Sequence, residues 1–275
     1  MSTTVPFRLL GGHLTLVPVT VDGLRPATFL LDTGMGLTVV SDRLRQELGH
    51  PLSGEQYTGR RMSGQAIPVP LTRLGSLAFG PKRLDRPVVG SYDLSGVTGL
   101  DGEVDGFLSL AFFDGLPLTI DYLQGVVIVE DDVSLRARER AGASVPVEVR
   151  RDGPSVEVYL DLELPNGSVA HVEVDTGSDQ LILHERYLAE LGHPKETRAA
   201  ERREGIDETG RPYIRYRAAL AGRIRVRGCE RLEQEDPVAI FQQIIHDGLV
   251  GREFLRAFAV TYDLARGRLI FGPTG

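Results

Sequence analysis

The chain has 275 residues, of which 41% are hydrophobic and 25% charged, values ordinary for a soluble globular protein. Its net charge of −7 offers no basic surface suited to a polynucleotide, so we expect no nucleic-acid partner. No apolar run approaches the roughly 20 residues of a membrane span, and the first ten residues lack a signal-peptide pattern. We therefore expect no membrane association and a cytoplasmic location. Cys229 is the single cysteine, which excludes an intramolecular disulfide and a thiolate metal cluster.

The turn-forming residues of the chain indicate β structure. Its 32 glycines and 16 prolines favour many short strands over a bundle of helices. Residues 13–21 have the composition of a strand, and Asp22-Gly23 makes a tight turn after them. Residues 27–31 then form a second strand, which leads into the tripeptide Asp32-Thr33-Gly34.

A short helix is predicted over residues 43–48. Ser41 or Asp42 can cap its first turn, and Gly49 followed by Pro51 favours its end. Beyond the helix, we expect a hairpin over residues 57–70.

The linker between the two halves is expected within residues 133–144, a stretch rich in arginine, alanine and acidic residues. We accordingly divide the chain into an N-terminal lobe, residues 1–135, and a C-terminal lobe, residues 136–275.

The second half repeats the predicted elements of the first. Strands over residues 156–162 and 168–174 flank Asn166-Gly167, a strong hairpin signal. A helix is expected over residues 184–191, and a second hairpin over residues 206–218.

An internal duplication explains this repetition. Asp32-Thr33-Gly34 recurs as Asp175-Thr176-Gly177, 143 residues later. The pentapeptide Glu-Leu-Gly-His-Pro at residues 47–51 recurs unchanged at residues 190–194. Two later blocks, at residues 105–108 and 118–121, match residues 247–250 and 260–263. Collinear blocks at a nearly constant spacing indicate two copies of one structural unit.

Each copy combines an apolar strand, Asp-Thr-Gly, a further apolar strand and a later glycine-containing segment, at residues 106–109 and 248–251. In this pattern the sequence resembles the pepsin and retropepsin superfamily of aspartic peptidases, specifically two bacterial retropepsin-like domains joined in tandem. The resemblance implies an all-β fold with one short helix per lobe. It also implies a two-lobed, acid-protease double β-barrel with pseudo-twofold symmetry.

The resemblance further implies that Asp32 and Asp175 meet at the interface between the lobes as a catalytic pair. Two carboxyl groups about 3 Å apart cannot both ionise cheaply, so they share one proton, and one acts as base while the other acts as acid. The same resemblance implies supporting roles for the neighbouring residues Thr33, Gly34, Thr176, Gly177 and Ser178.

The implied function is an aspartic endopeptidase that acts on a peptide or protein substrate without a cofactor or metal. The two hairpins would be flaps, with turns that bind substrate at Ser63-Gly64 and at Thr209-Gly210. Because one chain holds both catalytic halves, we expect a monomer.

The two catalytic loops differ at the position after the glycine. The first has Met35, where the family usually carries serine or alanine, and the second has Ser178. A hydroxyl that donates to a carboxylate favours its ionised form, which predicts that Asp175 holds charge more readily than Asp32. On this hypothesis, Met35→Ser would shift the acidic limb of the pH-rate profile downward.

Other functions find less support in the sequence. It lacks the motifs of serine hydrolases, zinc proteases and phosphate-binding loops, and two carboxylates alone make a poor cation site. The alternative is a catalytically silent relative that binds an extended peptide in the cleft between the lobes.

Overall fold

The structure is a computed structural model that describes residues 1–23, 25–95, 97, 100, 102–192, 200–206 and 211–273. Strands dominate it, which confirms the predicted all-β class. The strands are β1 (Thr3–Pro6), β2 (Arg8–Leu10), β3 (Leu14–Val21), β4 (Arg25–Leu31), β5 (Val39–Ser41), β6 (Leu52–Arg60), β7 (Ala66–Arg73), β8 (Ser76–Phe79), β9 (Lys82–Asp85), β10 (Val88–Tyr92), β11 (Gly106–Leu108), β12 (Leu118–Asp121), β13 (Val126–Val129), β14 (Ala143–Pro146), β15 (Glu148–Asp152), β16 (Ser155–Glu163), β17 (Val169–Val174), β18 (Leu181–His184), β19 (Glu201–Ile206), β20 (Pro212–Ala219), β21 (Arg223–Val226), β22 (Glu233–Glu235), β23 (Val238–Gln242), β24 (Gly248–Val250), β25 (Ala259–Asp263) and β26 (Arg268–Gly272).

Helices occupy a small part of the described residues. They are α1 (Asp42–Glu47), α2 (Asp132–Ala141), α3 (Tyr187–Glu190) and α4 (Arg252–Leu255), with 3₁₀ turns at Leu110–Phe113 and Leu264–Arg266. Within the described ranges, none of these helices is both long and apolar enough to cross a membrane.

Two large sheets repeat one topology. The first runs β6-β7-β10-β5-β11-β4-β3-β8-β9, with β2 paired to β3. The second runs β19-β20-β23-β18-β24-β17-β16-β21-β22, with β15 paired to β16. Each strand of the first order has a counterpart at the same place in the second. The duplication seen in the sequence is therefore a duplication of structure.

A third sheet joins the two halves, in the order β1-β13-β12-β25-β26-β14. Its central strands β12 and β25 are antiparallel, and Thr119 lies opposite Thr261. The hydroxyl oxygens of these two buried threonines are 2.7 Å apart. Since the two residues are equivalent in the duplicated copies, the pseudo-twofold axis passes between them.

Alternation along the strands determines which side chains reach the core. On β17, Ala170, Val172 and Val174 belong to the main apolar core. Successive side chains of a strand point to opposite faces, so Glu173 lies on the other face. Asp175, two residues later, lies on the same face as Glu173.

The first helix begins and ends close to the predicted residues. The Ser41 hydroxyl accepts the backbone N–H of Leu44 at 3.1 Å, and Gly49 has a φ of +74°. Its counterpart α3 is shorter than the expected 184–191, because Arg186 at its N-cap makes no side-chain capping bond.

The segment predicted as linker contains a helix that the sequence analysis did not foresee. Asp131 and Ser134 form a reciprocal capping box at the start of α2. One helix per lobe is therefore too few. The lobe boundary predicted at 135/136 falls inside α2 and stays a prediction.

Candidate active site

The two Asp-Thr-Gly loops follow equivalent strands, β4 and β17. The backbone N–H of Asp32 donates to the carbonyl of Leu108 at 3.1 Å, and that of Asp175 donates to the carbonyl of Val250 at 3.0 Å. Each loop is thus held on the short strand, β11 or β24, that pairs in parallel with its own strand.

These short strands begin with glycine for a steric reason. A Cβ on Gly106 would lie 2.3 Å from the carbonyl oxygen of Val39, and a Cβ on Gly248 would lie 2.5 Å from that of Ile182. Any larger residue would displace the strand on which the loop rests.

Thr33 and Thr176 connect the two loops. The Thr33 hydroxyl accepts the N–H of Thr176 at 3.0 Å and donates to the carbonyl of Val174 at 2.7 Å. Reciprocally, the Thr176 hydroxyl accepts the N–H of Thr33 at 3.0 Å and donates to the carbonyl of Leu31 at 3.2 Å. Both threonines are buried, so these bonds are shielded from water.

The loops bring the carboxyl groups of Asp32 and Asp175 together, close enough for the charge of Asp175 to act on Asp32. Oδ1 of Asp32 accepts the backbone N–H groups of Gly34 and Met35 at 3.0 and 3.1 Å. On the other side, Oδ1 of Asp175 accepts the N–H of Gly177 at 2.8 Å. Backbone amides therefore orient both carboxyl groups.

Gly34 and Gly177 each face the opposite aspartate. A Cβ on Gly34 would lie 2.5 Å from Cγ of Asp175, and a Cβ on Gly177 would lie 2.6 Å from Oδ2 of Asp32. The absence of a side chain at both positions lets the carboxyl groups approach.

The environment of the pair favours retention of a proton. Burial, followed by the charge of Asp175, raises the pKa of Asp32 well above its ordinary value, and burial also raises the pKa of Asp175. Because the groups are coupled, the shared proton belongs to the pair. Both residues keep some solvent-accessible surface, so the pair is not sealed from water.

The first predicted flap is the hairpin formed by β6 and β7. Residues 61–65 form its turn, in which Gly64 has a φ of +83°. Ser63 and Gly64 therefore lie at the predicted tip. Met62, beside them, accepts the N–H of Ile245 through its carbonyl at 2.8 Å.

The side chain of Met62 packs on an apolar cluster of the second sheet, formed by Ile182, Ile244 and Leu249. The tip of the first hairpin thus contacts the second lobe.

The second predicted flap is the hairpin formed by β19 and β20, which pair antiparallel. Its predicted turn residues, Thr209 and Gly210, lie outside the described residues. On β20, the Arg215 guanidinium stacks on the Tyr213 ring at 4.0 Å and donates to Gln242 at 2.6 Å.

Comparison with known proteins shows similarity to one family and to the fold of solved structures. Residues 17–112 match a family model described as aspartyl protease. Conglutin gamma, a basic 7S globulin from lupine seeds, superposes with a TM-score of 0.56 at 11% identity, over 98% of this chain and 94% of that one. The protein edgp superposes with a TM-score of 0.59 at 11% identity, over 99% of this chain and 95% of that one. No curated protein matches the sequence.

The first lobe is thus similar to the aspartyl protease family, and the whole chain shares its fold with these two structures.

The position after the catalytic glycine, Met35 in the first loop and Ser178 in the second, acts differently from the prediction. The Ser178 hydroxyl donates to the carbonyl of Gln180 at 3.1 Å and is thus directed away from Asp175. The N–H of Ser178 donates to the backbone carbonyl of Asp175 at 3.3 Å, whereas the N–H of Met35 donates to Oδ1 of Asp32 at 3.1 Å. The predicted asymmetry therefore lacks its proposed cause, because the Ser178 hydroxyl donates to Gln180 and not to the Asp175 carboxyl group.

The two copies also differ at the end of the glycine-containing segment, where the first has Ser109 and the second has Gly251. A Cβ on Gly251 would lie 2.6 Å from the carbonyl oxygen of Ser178. Ser109 is fully buried, and its hydroxyl lies 3.0 Å from that of Thr38. Its local hydrogen bond accounts for a serine in the first lobe only.

The sequence analysis missed a pair of aspartates that anchor the sheets near the site. Asp105 accepts the N–H of Thr28 at 3.0 Å and pairs with Arg43 at 2.7 Å. Asp247, His171 and Arg186 repeat this arrangement in the second lobe. The recurrence of Arg43 as Arg186, 143 residues later, is the signal that could have revealed it.

Across the described ranges, no group of three or more His, Cys, Asp or Glu side chains is arranged to hold a metal ion.

Proposed function

We propose that this protein is an aspartic endopeptidase whose dyad is Asp32 and Asp175. One observation carries the proposal: two carboxyl groups from equivalent loops lie close to each other and are oriented by backbone amides. The aspartyl protease match over residues 17–112 supports it.

The pair can serve as base and acid in turn. Its ionised member takes a proton from the attacking water as the oxygen adds to the scissile carbonyl carbon, while the protonated member hydrogen bonds the carbonyl oxygen. A tetrahedral intermediate results. When it collapses, the C–N bond breaks and a proton passes from the pair to the leaving amine. The dyad then again holds one proton.

The substrate would be an extended segment of polypeptide. The first hairpin bridges from its own sheet to Ile245, so a chain that lies across the dyad would be enclosed between the hairpin and the loops. Enclosure excludes water and strengthens hydrogen bonds to the reacting groups.

The second candidate function is peptide binding without cleavage. It is favoured by the similarity over nearly the whole chain to conglutin gamma, which is described as a globulin. Such a protein would keep the cleft and bind an extended peptide in it.

Digestion of a peptide library by wild type, Asp32→Asn and Asp175→Asn separates the two functions. Asp179→Asn is the matched control, because Asp179 is an exposed aspartate in the same loop that pairs with Arg252 at 3.3 Å. Cleavage by wild type and the control only, with a loss of at least about 10³-fold in both dyad variants, supports the peptidase. Peptide binding by all four proteins without turnover supports the second function. Cleavage that survives either dyad substitution overturns the assignment.

A further inference from the structure

We infer that the two sides of the cleft differ in chemistry, so that the second lobe binds a lysine or arginine side chain of the substrate and the first lobe an apolar one. This inference rests on the proposed function and assigns the substrate class of the same site.

The position of Glu173 places it beside the dyad. It stands two residues before Asp175 on β17, so its side chain shares a face with that of Asp175. Leu30 stands in the same relation to Asp32 on β4. Each dyad aspartate thus has a residue two positions before it on the same face, and this residue is apolar Leu30 in the first lobe and acidic Glu173 in the second.

The strand register extends this difference to a larger patch. Leu30 pairs with Leu16 across β4 and β3, while Glu173 pairs with Tyr159 across β17 and β16. At the first-lobe positions, apolar side chains pack together: Leu14, Leu16, Leu30 and Val104. Their second-lobe counterparts, by the spacing of the duplication, are Glu157, Tyr159, Glu173 and His246.

Among the described residues, Glu173 has no close partner for its charge. It is only 6% exposed, and within the described residues its nearest basic group is Nε2 of His246, 3.9 Å from Oε2. Burial, together with the charges of Asp175 and Glu157, raises the pKa of Glu173 well above its ordinary value. A buried carboxyl without a hydrogen-bonding partner is costly. An ammonium or guanidinium group of a substrate would supply that partner.

Glu157 adds a second carboxyl group at the junction of the lobes. Its Oε2 accepts the Tyr159 hydroxyl at 2.9 Å. The N–H of Val156, next to it, donates to the carbonyl of Gly36 at 3.1 Å, which links this strand to the loop of Asp32. Glu157 therefore lies beside the loop of Asp32, where a Cβ on Gly36 would be 3.7 Å from its Oε1.

The cations nearby leave this patch acidic. Arg150 stacks on the Tyr159 ring at 4.1 Å but is hydrogen bonded to Glu148 at 2.6 Å. His171 pairs with Glu148 and Asp161. Burial lowers the pKa of His246, which favours its neutral form. Glu157 and Glu173 are thus the carboxyl groups available to a bound side chain, and a cation beside Glu173 would favour its ionised form.

Two assays test this inference. In the first, wild-type cleavage sites in a peptide library are sequenced, and we expect lysine or arginine on one side of the scissile bond and an apolar residue on the other. Paired peptides that differ only by lysine or norleucine at the basic position are then compared. Glu173→Gln and Glu157→Gln should each lower kcat/KM for the lysine peptide by about 10-fold or more and leave the norleucine peptide within about 2-fold.

A double variant that carries the first-lobe residues in the second lobe is a further test. Glu157→Leu combined with Glu173→Leu places leucine at both positions, as the first lobe has at Leu14 and Leu30. The variant should then cleave the norleucine peptide with a higher kcat/KM than the lysine peptide. Glu235→Gln is the control, since Glu235 is an exposed glutamate that pairs with Arg223 at 2.7 Å, outside this patch.

The second assay measures binding of the same two peptides to Asp32→Asn, with and without Glu173→Gln. Tighter binding of the lysine peptide that depends on Glu173 supports the acidic site. If wild type also cleaves neither peptide, the proposed peptidase activity is rejected while the acidic site stands. Cleavage without basic enrichment, or equal affinity for the two peptides, overturns the inference.

Discussion

The Thr33 hydroxyl accepts the backbone N–H of Thr176, and the Thr176 hydroxyl accepts that of Thr33, both at 3.0 Å. Neither loop satisfies these buried amides by itself, because each acceptor belongs to the opposite lobe. The dyad geometry is therefore a property of the interface.

Thr33→Val tests this exchange. Valine has nearly the same shape but leaves the N–H of Thr176 and the carbonyl of Val174 without their partner. We expect the free energy of unfolding to fall by about 1–3 kcal/mol, measured by urea denaturation. Thr33→Ser keeps the hydroxyl and is the control. Equal stability of the two variants would show that the exchange contributes nothing.

Gly177→Ala should impair catalysis. Its Cβ would lie 2.6 Å from Oδ2 of Asp32, so the carboxyl groups must move apart. Displacement of about 1 Å can cost roughly 10²-fold in rate, and we expect a loss of kcat of that order. Gly272→Ala is the control, because its Cβ would meet nothing closer than 3.5 Å. Full activity of Gly177→Ala would contradict the described approach of the loops.

The dyad should reduce stability at neutral pH. Its aspartates have pKa values raised above those of the unfolded chain, so ionisation is harder in the folded state. Stability is then greatest below the unfolded-state pKa, about 3.9, and falls as the pH rises through that value toward the folded-state pKa. Asparagine cannot ionise and avoids this penalty.

Asp32→Asn is accordingly expected to have a higher Tm than wild type at pH 7, and this advantage should disappear near pH 3. Thermal unfolding at both pH values measures it, with Asp179→Asn as control for the substitution itself. A Tm difference that is independent of pH would refute the assignment of a raised pKa.

Met62→Ser should loosen the first hairpin. Serine cannot replace the apolar packing on Ile182, Ile244 and Leu249. We expect KM to rise several-fold and limited proteolysis within residues 61–65 to become faster. Ile214→Ser, at an exposed position of the second hairpin, is the control. Unchanged proteolysis would mean that the packing of Met62 does not hold the hairpin.

Met35→Ser should leave the acidic limb of the pH-rate profile where it is. Asp32 contacts only the backbone N–H at this position, and the Ser178 hydroxyl does not reach Asp175 in the other loop. Ser178→Ala should behave in the same way. A downward shift for Met35→Ser would restore the hypothesis drawn from the sequence.

The duplication alone determined much of this protein. Because Asp32 and Asp175 recur in equivalent settings, the sequence predicted both loops, the helix after Ser41 and the all-β class from local patterns. These features depend on turn chemistry and strand periodicity, which neighbouring residues encode.

Only the tertiary structure decided how the copies differ. The direction of the Ser178 hydroxyl, the contact of Met62 with the second lobe and the carboxyl groups beside Asp175 all depend on residues distant in sequence. A local pattern cannot specify such contacts, since the partner of each group is selected by the packing of two lobes against each other.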